Sequence, residues 1–233
     1  MFFELCSRIK HYYAFGKKEV RDIIIAIVIV GFIFSFRDWG VGDLVDPLFG
    51  IRNFVIMIFL VAVSFFVHIS VQRIYALSIG FQAEFKIWWG GLITSLIVAF
   101  ISNGAIPLVL PGGIVNSINV RMRLGEFRYG LNYFDNGLAA LAGPISNIFL
   151  VLITKILLIL FPESWILQKF LVLNIVFAIC TMLPIPPLDG LNLYIGNKHL
   201  YFFLLTLIAV AGVLIYLTNI LLSLIVGLVA ALI

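Results

Sequence analysis

Charge is scarce in this chain: 11% of its 233 residues are Asp, Glu, Lys or Arg, and 63% are hydrophobic. A soluble domain carries about a quarter charged residues, so that class is excluded. Cysteine is scarcer still. Cys6 and Cys180 cannot build a disulfide framework, and they leave the redox compartment unread. The first twenty residues lack a small-residue cleavage site, so we expect no removable signal peptide and assign targeting to the first span. No phosphate-binding loop, Gly-x-Ser-x-Gly element or Ser-Lys arrangement is present, nor the paired carboxylates of an aspartyl intramembrane protease. Internal repeats are absent as well. The small basic excess, 15 Lys and Arg against 11 Asp and Glu, calls for no nucleic-acid partner, because cations flank membrane spans on the cytosolic side.

What remains is apolar, in runs that exceed the roughly 18 residues of a membrane span. The fold class expected is an all-α integral membrane protein, a polytopic bundle of six transmembrane helices, or seven if the C-terminal tail doubles back near Asn219. Residues 1–22, with Arg8, Lys10, Lys17, Lys18 and Arg21 among aromatics, read as an interfacial segment placing the N-terminus in the cytosol. Residues 23–233 form a single membrane domain. Spans are expected over 23–36, 54–77, 92–110, 138–161, from 165 and from 199. A short strand or interfacial piece is expected over 79–89, and residues 114–136 are the most soluble part of the interior. Three prolines in Leu183-Pro184-Ile185-Pro186-Pro187-Leu188-Asp189-Gly190 must unwind the fifth span. Irregular backbone at membrane depth has to be covered by protein or by a water-filled cavity.

The second span carries a polar cluster, His68, Ser70, Gln72 and Arg73, in a setting where polar groups are costly and mark function by default. The plain alternatives are an interhelical hydrogen bond, or Arg73 snorkelling at a helix end. His68 and Gln72 are four residues apart and share a helix face. Further on come Ala142-Gly143-Pro144-Ile145-Ser146-Asn147 and then the proline-rich Asp189 segment. In this order the three elements resemble the site-2 protease family of intramembrane zinc metalloproteases, over roughly residues 54–192. That family carries H-E-x-x-H, a Gly-Pro-x-x-Asn helix and a Leu-Pro-x-x-Pro-Leu-Asp-Gly loop. The resemblance implies zinc-ligand positions at His68 and Asp189, with Gln72 in the place of the second histidine. It implies a structural and substrate groove drawn from Gly143, Pro144, Asn147, Asn174, Pro184, Pro186, Pro187 and Gly190.

The departure falls at the centre of the mechanism. Where the family has H-E-x-x-H, this chain reads His68-Ile69-Ser70-Val71-Gln72. Ile69 occupies the general-base position and has no ionisable atom. Loss of a positioned base costs about 10²–10⁴ in rate. A catalytic zinc site uses three protein ligands and a water, and an amide oxygen is a poor substitute for imidazole. We therefore expect zinc to be weakly held or lost, and the protein to be a degenerate protease homologue that binds a transmembrane partner. Glu84, Glu126, Asp135, Glu163, His199 and Lys155 are the other groups that could stand in as a base, and none is favoured by its place in the chain. The alternatives are an active zinc-dependent intramembrane protease with an atypical site, and a small transporter.

Overall fold

The computed structural model describes residues 2–41, 44–118 and 132–217. Helix α1 spans Phe2–Tyr12 and α2 spans Lys17–Ser35. The polar opening of α2 is not wholly interfacial, as expected from its charges. Glu19 and Asp22 are buried, because each has a cationic partner, Arg73 and Arg21 respectively. A tight antiparallel pair, β1 (Gly40–Val41) and β2 (Leu44–Val45), turns the chain. Helix α3, Pro47–Ser78, starts there. Asp46 caps it, its Oδ1 accepting from Leu48 N at 3.0 Å and Phe49 N at 3.2 Å, with Pro47 at a first-turn position that needs no N–H. At 1.5 Å per residue α3 is about 48 Å long and overspans a hydrocarbon layer of about 30 Å.

Strand β3, Phe81–Ile87, pairs antiparallel with β4, Gly112–Ile118, from Phe81↔Ile118 to Ile87↔Gly112. The expected short strand is there, and so is a partner for it. The all-α expectation thus holds for the membrane body, with two small two-stranded sheets added among the described residues. Between these strands lies the main departure from the sequence-based expectation. Residues 92–110 were expected to cross as one span; instead α4 covers Trp89–Ile101 only. It ends where Asn103 and Gly104 take positive φ, 49° and 70°, and the chain then returns extended through residues 107–111. Leu110 N donates to Ser95 Oγ at 3.2 Å, and Trp88 N donates to Pro111 O at 2.9 Å. The return is non-helical but sealed: Val109 and Leu110 are buried in the main core. Irregular backbone at depth is tolerated under such cover.

Helix α5 spans Tyr133–Leu160, α6 Trp165–Thr181, α7 Asp189–Gly196 and α8 Lys198–Leu217. Three helices, α3, α5 and α8, are long and apolar enough to cross a membrane; α4 and α6 are shorter apolar helices. Every expected span has a helix at its place, but the count of six crossings is not established by them. One end of the bundle gathers the start of α2, the β3–β4 sheet and the end of α3. There Phe85 N donates to Glu19 Oε1 at 2.9 Å and Arg8 Nη1 to Leu77 O at 3.1 Å. The opposite end gathers the end of α2, the tip of α4 and the start of α6, where Lys169 Nζ meets Asp38 Oδ2 at 2.7 Å. The question of a tail broken near Asn219, and the charged residues Arg121, Arg123, Glu126 and Arg128, lie outside the described residues. The core between the two ends is built on Phe65, Ile69, Leu173 and Phe177.

Candidate functional site

Three helices and one strand converge on His68, a buried residue of α3. Its Nδ1 lies 3.1 Å from Asn147 Oδ1 of α5, and its Nε2 lies 3.0 Å from Asp189 Oδ2 at the start of α7. The ring stacks on Phe177 of α6, centroids 4.8 Å apart and planes at 18°. From β4, Ile114 N reaches the other carboxylate oxygen of Asp189 at 3.5 Å, a long contact that closes the site on that side. All three polar residues are at most 4% exposed. Proton accounting follows from these contacts. If Asn147 Oδ1 accepts from Nδ1–H, the Nε2–Asp189 contact needs a second proton, on the ring or on the carboxyl group. If the amide is turned so that Asn147 Nδ2 donates to Nδ1, a single Nε2–H donating to Asp189 suffices, and Asn147 Nδ2, otherwise without a partner, is satisfied.

Gln72 has a different task. Pro144 lies inside α5, and proline has no N–H to give the carbonyl four residues earlier. That carbonyl is Ala140 O, and Gln72 Nε2 donates to it at 2.8 Å. Gly143 permits the approach: a Cβ there would collide with the His68 ring and the Gln72 amide. Gly143, Pro144 and Gln72 therefore work as one device joining α3 to α5. Ile69 is 2% exposed and belongs to the main apolar core with Phe65 and Phe177. The proline-rich segment folds tightly, Leu188 N donating to Ile185 O at 2.7 Å. The Pro186–Pro187 bond is cis. Pro184 and Pro186 are exposed while Leu188, Asp189 and Gly190 are buried. Gly190 sits against the carbonyls of Met182 and Leu183, where a side chain would not fit. Asp189 was expected inside the loop; it is the first residue of α7.

Of the groove residues expected from sequence, Asn147 meets the histidine directly. Asn174 does not. It is fully buried one turn before Phe177, donates to Phe170 O at 2.8 Å and leaves its Oδ1 without a partner. Phe177 and the β4 backbone are contributors that sequence reasoning missed. Only the three-residue step from Asn174 to Phe177 on α6 pointed to the ring, and nothing in the sequence pointed to β4. Arg73 does not snorkel. It is buried, ion-paired with Glu19, donates to Tyr13 O at 3.0 Å and Ala14 O at 2.8 Å, and lies 4.0 Å above the Phe15 ring. None of the described candidates for a stand-in base reaches the cluster. Glu84, Glu163 and His199 are exposed, and Asp135 accepts from Asn132 at 2.9 Å. Among the described residues, no group of three or more His, Cys, Asp or Glu side chains converges. Among the described residues His68 and Asp189 supply two donors where a catalytic zinc needs three, and Gln72, whose Nε2 is tied to Ala140 O, could add only a neutral amide oxygen. This donor set does not fit a catalytic zinc centre.

Fold and site together define a helical membrane protein with a buried His–Asn–Asp centre held between α3, α5 and α7. The chain is similar to a protein of Methanocaldococcus jannaschii named "Putative zinc metalloprotease MJ0611", 29% identical over 193 residues, which cover 81% of this chain and 90% of that protein. No family model matches the chain. No solved structure matches it significantly.

Proposed function

We propose that the protein is a site-2-protease-like intramembrane metalloprotease homologue that has lost hydrolysis and acts by holding a membrane-embedded segment of another protein. The observation that carries this reading is the pairing of a preserved His68–Asp189 contact at 3.0 Å with Ile69 sunk in the apolar core. The two ends of the family's site are retained and the base between them is gone. Gln72 stands where a second imidazole belongs, and its amide is committed to the carbonyl that Pro144 leaves free. A His–Asp pair already hydrogen-bonded inside the bundle needs no metal for its own satisfaction. Zinc is then weakly held or absent, and the N-terminus is cytosolic.

The competing reading is an active zinc protease with an atypical ligand set, favoured by the similarity to a relative bearing a zinc metalloprotease name. Zinc stoichiometry of the detergent-purified chain, beside Asp189→Ala, separates the two. The expected result is far less than one zinc per chain, unchanged by the substitution. Near-equimolar zinc that disappears in Asp189→Ala would overturn the proposal and make cleavage of membrane substrates the next assay.

A further inference from the structure

The bundle end remote from His68 contains a second polar feature unrelated to the protease-like centre. A cavity of about 720 Å³ opens between the end of α2, the tip beyond α4, the last turns of α5, the start of α6 and the end of α8. Arg37, Lys155 and Lys169 line it, with Trp165 and Tyr216 at its walls. Lys169 is spoken for: Asp38 holds it at 2.7 Å. Arg37 and Lys155 have no anionic partner among the described residues. Lys155 is the unusual one. It is half-buried on α5, flanked by Ile153, Ile156, Leu157 and Leu158, and it sits five residues before the helix end at Leu160. A cation at that depth is costly unless it faces water or meets a counter-charge. Among the described residues no carboxylate lines the cavity, so its described walls do not supply that counter-charge.

We infer that this cavity seats the phosphate of an anionic phospholipid from the leaflet at that end. Its volume lies within the range of sites that enclose small ligands. Basic pockets between transmembrane helices recognise anionic headgroups in this manner. The surrounding surface fits acyl chains, not a soluble anion: Ile159, Leu160 and Phe161 beside Lys155 are 72%, 67% and 61% exposed. Trp165, at the cavity wall, lies 5.5 Å from Lys169 Nζ, a cation–aromatic contact at the rim. A lysine that merely snorkels would reach past this rim without selecting a headgroup.

The test uses the full chain in detergent, titrated with phosphatidylglycerol, with phosphatidylcholine and with inorganic phosphate. Retained lipid is read by native mass spectrometry and protection by thermal unfolding. Phosphatidylglycerol is expected to be retained at least about tenfold more than phosphatidylcholine and to raise the melting temperature, with inorganic phosphate doing neither. The double variant Arg37→Gln/Lys155→Gln should lose that preference, and Lys155→Arg should keep it, which separates loss of charge from loss of fold. Equal retention of the two lipids, an unaltered preference in the double variant, or equal protection by inorganic phosphate would each overturn the assignment.

Discussion

At the scale of single residues, the hydrogen bonds of a proline-containing helix account for a side chain that the motif leaves ambiguous. Gln72 matters here as the donor for Ala140 O, the carbonyl that Pro144 cannot serve. Removing it strands a buried acceptor, at a cost of about 1–3 kcal/mol. Gln72→Ala should therefore lower the stability of the purified protein by about that amount, measured by thermal or denaturant unfolding in detergent. In a Pro144→Ala background the backbone N–H at 144 returns and can serve Ala140 O itself. Gln72→Ala should then cost at least about 1 kcal/mol less, a coupling that a double-mutant cycle isolates. Equal costs in both backgrounds would show that the amide has another role. His68 was legible in the sequence because a polar residue in an apolar run stands out, whereas Asn147 and Asp189 were singled out by the motifs that carry the family resemblance. Phe177 was not, since one aromatic among 22 phenylalanines carries no mark of which ring it stacks on.

At the scale of elements, α3 is held at two levels. The His68 cluster ties it to α5 and α7, and Arg73, five residues further along, ties it to the N-terminal segment. Glu19 Oε1 takes both the Arg73 guanidinium and the Phe85 N–H, the latter at 2.9 Å, so one carboxylate joins α2, α3 and β3. Both side chains of the ion pair are under 10% exposed. Breaking such a pair from one side leaves an uncompensated buried charge and costs about 3–5 kcal/mol. Glu19→Ala should destabilise by about this much and speed hydrogen exchange across 81–87 and 112–118 more than across α6. Replacing both partners, as in Glu19→Met/Arg73→Met, should recover part of the loss. Unchanged exchange in the β3–β4 sheet would disprove the link from α2 to β3. Hydropathy places Arg73 near a helix end and reads it as solvated, because the pattern cannot see that Tyr13, Ala14, Phe15 and the start of α2 fold over it. The same blindness affected α4. An apolar stretch of suitable length reads as a span, yet Asn103 and Gly104 reverse the chain and Ser95 receives the returning backbone.

That reversal changes the topology of the whole molecule. With α4 and residues 107–111 forming an out-and-back excursion, β4 lies at the same end as β3, where an uninterrupted span would have carried it across. The described chain then runs end to end through α2, α3, α5, α6 and α8, five traverses rather than six. If these traverses are membrane crossings, Cys6 and Ser117 share one side, and Glu163, in the turn between α5 and α6, faces the other. All three are exposed, and the other cysteine, Cys180, is buried and should stay silent. A membrane-impermeant maleimide applied to sealed, oriented vesicles should therefore label Cys6 and a Ser117→Cys variant in the same preparation. A Cys6→Ser/Glu163→Cys variant should react only in vesicles of opposite orientation. Residues 114–136 would face away from Cys6 if 92–110 were a crossing. Ser117→Cys in a Cys6→Ser background is thus the deciding position, since labelling opposite to Cys6 would restore the uninterrupted span. Labelling alongside Cys6 would put the His68–Asn147–Asp189 centre, which β4 covers through Ile114, nearer the side that holds the N-terminus.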